Sequence, residues 1–294
     1  MQINRHGSFY IRNGWPTKII DAIFESPLLF SPNNELAAVD TLGVGRVMVK
    51  AMRYWTVVMG ITNETRPPQG VAHQLTPLGD YIREHDPYCQ DIGTLWLLHR
   101  NLSSRENEAT AWWWLYNCLD QQTFTKDSFS NAFYLFLQKQ GETYTRKSVE
   151  KEFDCLKNTY VSEKMFDVKK IMEEDTVPFF APLGLVRYLG NGVFEKRRPK
   201  AKEIPSDIMH YCILTDNAVH LQNSVEIDLD ILLEANNQVG KYMNLSYSTL
   251  LELLQQLENI GALKLINNFG NRYIHLLQTD AAQVLREHFQ KDAR

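Results

Sequence analysis

"TLGVGRVMVKAMRYWTVVMGIT", Thr41 to Thr62, decides how the rest of the chain is read. Val44, Met48, Ala51, Met52, Trp55 and Met59 recur at helical offsets, which predicts an amphipathic helix with one apolar face. Arg46, Lys50 and Arg53 fall at i, i+4 and i+7 and make a second, basic stripe displaced from the first, with no acid interleaved. Upstream, "NNELAAVDTLG" supplies polar starters, a short apolar helix and a terminal Gly, and Gly43 with Gly45 lets the chain turn sharply into the next helix. Downstream, Gly60 stops the long helix and "ITNETRPPQGVAHQL" reads as two short strands around a Pro/Gly loop. Thr76 and Pro77 then form a cap and first-turn pair for a helix from Leu78 to about His85. Helix, tight turn, helix, hairpin, helix is the order of a winged helix-turn-helix, whose second helix enters the major groove of DNA.

A similar order recurs in "DLDILLEANNQVGKYMNLSYSTLLELLQQLENIGALKLINNFGNRYIHLLQTDAAQVLREHF". Ser246 is the expected cap of a helix carrying Leu250, Leu253, Leu254 and Leu257 inward; "ALKLI" and "RYIHLL" flank the turn "NNFGN", and a last helix starts near Thr279 or Asp280. Its outward positions Ser248, Glu252, Gln255 and Asn259 carry no cation, so this second module is weighted towards protein contact or homodimer formation. Between the two, four apolar helical patterns separated by short polar breaks run from Asp86 to Asp175, the last with Val149, Phe153, Leu156 and Tyr160 inward and Thr145 as its cap. From Val177 a Pro/Gly-rich stretch reads as a linker or short β excursion and carries Lys196, Arg197, Arg198, Lys200 and Lys202. The expected fold is mainly α with small β wings. Winged helix-turn-helix modules at 1–85 and 206–294 flank a central helical domain at 86–175 and a basic linker at 176–205.

Bulk composition limits the functions open to such a chain. With 294 residues and a net charge of −4, no module is basic as a whole, so a DNA surface has to be a local stripe. Cys89, Cys118, Cys155 and Cys212 lack the spacing of zinc ligands or of a secreted disulfide framework. No run reaches the ~18 apolar residues of a membrane span, and the expected location is the cytoplasm. There is no GxxxxGK[ST] phosphate loop, so any ATP belongs to a partner.

Five segments together are similar to the SspB-like family of prokaryotic DNA phosphorothioation and phage-defence systems, formerly a domain of unknown function: "HGSFYIRNGWPTK", "LGVGRVMVKAMRYW", "LTPLG", "DPYCQDIGTLWLLHRNL" and "ATAWWWLYN". The resemblance implies a protein that acts on double-stranded DNA beside a cysteine desulfurase, an ATPase and an ATP-activating sulfurtransferase, nicking a strand so that sulfur can be incorporated. A divalent ion, Mg or Mn, would be the simplest cofactor for such phosphodiester hydrolysis. Gly7 and Gln90 stand where the family pattern leads us to expect acids, which removes a carboxylate from both places. Two other roles stay open: a non-catalytic DNA-binding adaptor that recruits the sulfur-transfer enzymes, and a transcriptional regulator of the operon.

The candidate residues follow from these readings. Arg46 is placed to read a base, Lys50 and Arg53 to hold phosphates, and Arg66 to reach DNA from the wing, against the alternative of a solvated helix face. Lys196, Arg197 and Arg198 could clamp the backbone, or lie in a solvated loop. His6 with Arg12 could serve as a general base and an anion-stabilising group, or be structural. His99, after "TLWLL", reads as a buried structural histidine, and Asp91 is poorly placed to share a cleft with it. Trp112, Trp113 and Trp114 cannot all face one ligand at ~100° per residue, so they read as core rather than as a base-stacking platform.

Overall fold

In the computed structural model, which describes residues 1–161, 177–268 and 270–291, the stretch that opens the reading folds as helix α3. The first module comprises α1 (Trp15–Glu25), α2 (Glu35–Leu42), α3 (Arg46–Val58), strands β1 (Thr62–Thr65) and β2 (Ala72–Leu75), and α4 (Pro77–His85). Ala51, Met52, Trp55 and Met59 are buried as the periodicity requires, joined by Val49 and Thr56. The α2–α3 turn is made by Gly43, whose φ of +65° is a left-handed conformation that a side chain would strain. The Thr76 hydroxyl accepts the Gly79 N–H at 3.0 Å and fixes the start of α4.

Four helices follow, α5 (Ile92–Ser103), α6 (Thr110–Asn117), α7 (Lys126–Lys139) and α8 (Arg146–Tyr160). Val149, Phe153, Leu156 and Tyr160 are all buried, and the Thr145 hydroxyl accepts the Ser148 N–H at 3.1 Å. This region is not purely helical, however, and the Pro/Gly-rich segment after it is not a linker. Strand β3 (Thr123–Thr125) pairs antiparallel with β5 (Val193–Lys196), which pairs in turn with β4 (Val186–Gly190). The reason is apolar: Phe124 and Phe194 stack across the strands at 6.1 Å, and both are buried. Residues 162–175 of the expected central module, Thr176 of the expected linker, Phe269 of the "NNFGN" turn and the last three residues lie outside the described residues.

The chain divides into two units, Met1–Lys196 and Arg197–Arg294. In the second, α9 (Ser206–Asp216) precedes β6 (Glu226–Asp228), α10 (Leu229–Glu234), α11 (Val239–Tyr242), α12 (Tyr247–Asn259), β7 (Leu263–Asn268), β8 (Asn271–Leu276) and α13 (Ala281–Lys291). Strand order is β6–β8–β7, all antiparallel. The Ser246 hydroxyl caps α12 by accepting the Thr249 N–H at 3.1 Å, and Leu250, Leu253, Leu254 and Leu257 are buried. The chain is thus mainly α with small antiparallel sheets, and no helix among the described residues is long and apolar enough to cross a membrane.

Candidate nucleic-acid interface

Because its inner face is committed to the core, α3 turns Arg46 and Lys50 outwards, 61% and 74% exposed. Glu35, at the start of α2, lies 3.8 Å from the Arg46 guanidinium and 3.7 Å from the Lys50 ammonium. These are solvent-facing pairs at the outer limit of contact, worth about 0–1 kcal/mol, so an arriving phosphate competes for both cations at little cost. Arg53 is held differently. Its Nε donates to Glu64 Oε2 of β1 at 3.1 Å and its Nη2 binds the same oxygen, while the largely exposed Arg66 approaches Glu64 Oε1 at 3.5 Å. The acids that the stripe lacks in sequence therefore arrive from α2 and β1. Four cations still face two carboxylates.

Burial alone would raise the Glu64 carboxyl, but the hydrogen bond and charge of Arg53 hold it below its ordinary range. Beneath it, His73 of β2 is fully buried, with Nδ1 3.2 Å from the Thr62 hydroxyl and the ring edge-on to Phe30. Burial, joined by the Arg53 charge, pushes its imidazolium down from 6.5 to about 4, against the pull of Glu64. Above pH 6.5 the ring is neutral in folded and unfolded chains alike. Between 6.5 and about 4 only the unfolded chain gains the proton, so stability falls as pH drops through that window. His73→Gln is expected to flatten that part of the Tm profile between pH 7 and pH 4.5, and equal profiles for the two proteins would remove His73 as its source.

The remaining expected site residues are not gathered on this face. His6 is wholly buried, its Nε2 2.9 Å from Glu152 Oε2, and it packs against Tyr54, Trp55 and Trp112, so a solvent-reaching general base at His6 is overturned by its burial. Arg12 lies over the rings of Tyr10 and Trp15, each at 5.8 Å. Lys196 is corrected from a DNA clamp to an internal residue: it is 4% exposed, and its Nζ donates to the carbonyls of Leu115 and Leu119 at the end of α6. That is where a helix terminus leaves carbonyls in need of a donor. Arg197 donates to Glu203 at 2.8 Å, and Arg198 remains exposed. His99 is buried with Nδ1 2.9 Å from the Tyr160 hydroxyl, and Asp91 caps α5 by accepting the Thr94 N–H at 2.8 Å. Trp112, Trp113 and Trp114 are all buried.

The periodicity missed Glu35, Glu64 and His73, together with the cleft that Glu35 shares with Lys50 and Arg53. Only the acid at the start of "ELAAVD", one helix before the stripe, hinted at such a partner.

Two solved structures share this fold, a magnesium ion-bound SspB crystal structure with a TM-score of 0.83 and an SspB crystal structure with a TM-score of 0.82. Each is 22% identical to this chain, over 98% of this chain and 88% of the other. No curated protein matches the sequence. The model of one protein family, described as "Protein of unknown function (DUF4007)", matches residues 3–289, so nearly the whole chain belongs to that family.

Proposed function

We propose that this protein is the DNA-binding component of a cytoplasmic DNA phosphorothioate-modification system and that α3 is the helix it lays against duplex DNA. The observation that carries this is the pair of exposed, weakly held cations Arg46 and Lys50 on the outer face of a helix whose inner face is core. In this reading α2, α3, the β1–β2 hairpin and α4 act as a winged helix-turn-helix. Arg46, at the N-terminus of α3, reads a base edge, Lys50 holds a phosphate, and Arg66 reaches the backbone from the hairpin. Arg53 positions the hairpin through Glu64.

The likeness in fold to SspB supports placing the chain in that system, beside the cysteine desulfurase, ATPase and sulfurtransferase that the sequence resemblance implies. The second unit, read as a further winged helix, presents Ser248, Glu252, Gln255 and Asn259, all exposed and without a cation, as a surface for a protein partner or a second copy. Strand nicking is the activity that the resemblance implies. The magnesium ion is a property of the related crystal structure. Among the described residues here, no three His, Cys, Asp or Glu side chains come together as ligands, so the side chains present do not build a metal cage and no step is routed through one. The burial of His6 against Glu152 favours a second reading, an adaptor that binds DNA and recruits the enzymes.

The test is duplex affinity against salt for the wild type and for Arg46→Ala/Lys50→Ala/Arg53→Ala. With about 0.9 counterions released per phosphate neutralised, the triple variant is expected to flatten the log–log salt slope by roughly 2 and to lose about tenfold or more in affinity at low salt. Unchanged affinity and slope would refute the role of α3. Conversion of supercoiled plasmid to open circle, with and without Mg²⁺ or Mn²⁺, then separates the nickase from the adaptor.

A further inference from the structure

Beside the stripe, between α3 and the segment leading into α2, lies a cleft of about 240 Å³. Phe30, Pro32 and Val49 give it an apolar wall, while Lys50, Arg53 and Glu35 supply charge along its lining. Ser31 also lines it, 3% exposed, and its hydroxyl has no hydrogen-bond partner. A hydroxyl taken out of water and left unpaired is costly to folding, and in native structures it commonly marks a place where something else donates or accepts. The volume falls below the ~300 Å³ at which pockets for drug-sized ligands begin, which limits the occupant to about the size of one nucleobase.

These features coincide in one place: a flat apolar wall with an aromatic ring, an unpaired buried hydroxyl, and two cations on the same helix that faces outwards. We propose that the cleft takes a single unstacked nucleotide, its base against Phe30 and Pro32, a polar edge of base or sugar on the Ser31 hydroxyl, and its phosphate between Lys50 and Arg53. Aromatic and apolar walls hold single bases irrespective of sequence, and cations beside them hold the backbone. Glu35 opposes this arrangement, because its carboxylate stands 3.7 Å from Lys50 where the phosphate would lie. Binding the nucleotide therefore means releasing Glu35. For the source of the nucleotide the inference rests on the reading of α3 as a DNA-contacting helix; a free nucleotide has the same chemistry and is distinguished by the experiment.

The experiment uses the full chain and three probes: a perfect duplex, the same duplex with one bulged nucleotide, and free dAMP as competitor. The bulged base is already unstacked, so extruding it costs little. The wild type is expected to bind the bulged duplex about tenfold more tightly than the perfect one, the worth of one base stacked on a protein wall. Ser31→Ala is expected to cut that preference about fivefold, leave perfect-duplex affinity unchanged, and leave Tm equal or higher because an unpaired hydroxyl has gone. Glu35→Gln is expected to raise affinity for both duplexes. Binding of the perfect duplex with no preference for the bulge, or a preference that Ser31→Ala leaves intact, overturns the nucleotide cleft while the role of α3 stands. If neither duplex binds but dAMP does, and Ser31→Ala weakens dAMP, the cleft is upheld with a free nucleotide as its ligand and the DNA reading fails. Failure of all three probes overturns both.

Discussion

Glu152→Ala is expected to cost the first unit about 3–5 kcal/mol, the range for breaking a buried pair from one side. Glu152, on α8, is 1% exposed, and its Oε2 serves two donors from the opposite end of the unit's sequence: the Asn4 backbone N–H at 2.6 Å and His6 Nε2 at 2.9 Å. The His6 ring stacks on Trp55 of α3 and meets Trp112 of α6 edge-on, so no water replaces the missing oxygen. Alanine leaves both donors unpaired in an aromatic cage and opens a void beside them. At roughly 2–4 °C per kcal/mol for a unit of this size, Tm falls by about 6–20 °C. Glu152→Gln keeps an acceptor and is expected to lose far less. Urea unfolding of the three proteins decides it: a loss under about 1 kcal/mol for the alanine variant would mean that the cage admits water. DNA affinity, measured well below the lowered Tm, is expected to remain near wild type, which a catalytic or DNA-contacting role for His6 would not predict.

The same pair shows where a sequence stops being informative. Helix α12 was legible because its leucines repeat on one face and Ser246 caps it locally; α3 and α8 were legible on the same grounds. All of that information lies within about a dozen residues. The Glu152–His6 contact spans 146 positions, and no period connects its two ends. Strand β3 failed for a related reason. Three residues of alternating Thr-Phe-Thr are too short to stand out, and their partner β5 lies some seventy positions on, in a segment whose prolines and glycines read as linker. Lys196 was misread because charge patterning treats every lysine as solvated, whereas this one reaches the free carbonyls at the end of α6. At the candidate interface the cations were legible and their acids were not, since Glu35 and Glu64 come from neighbouring elements whose placement only the tertiary fold decides.

Gly240→Ala carries the second large effect, and its sign runs against propensity. Gly240 lies within α11, where alanine ordinarily gains about 0.5–1 kcal/mol over glycine. Here a Cβ would stand 2.2 Å from the Leu233 carbonyl oxygen, 2.4 Å from its Cα and 2.6 Å from its carbonyl carbon. All three are backbone atoms of α10, so no side chain can rotate aside; α10 and α11 would have to separate, although Leu232, Val239 and Tyr242 are buried around them. The expected cost is above ~3 kcal/mol, beyond ordinary overpacking. The six tryptophans, at positions 15, 55, 96, 112, 113 and 114, all belong to the first unit, so their fluorescence follows that unit alone, whereas far-UV circular dichroism follows both. The variant should show an early loss of dichroism that tryptophan fluorescence does not follow. A variant as stable as the wild type, or more so, would mean that α10 and α11 are not packed as closely as their backbones indicate, and the helix-propensity gain would then be the only effect left to measure.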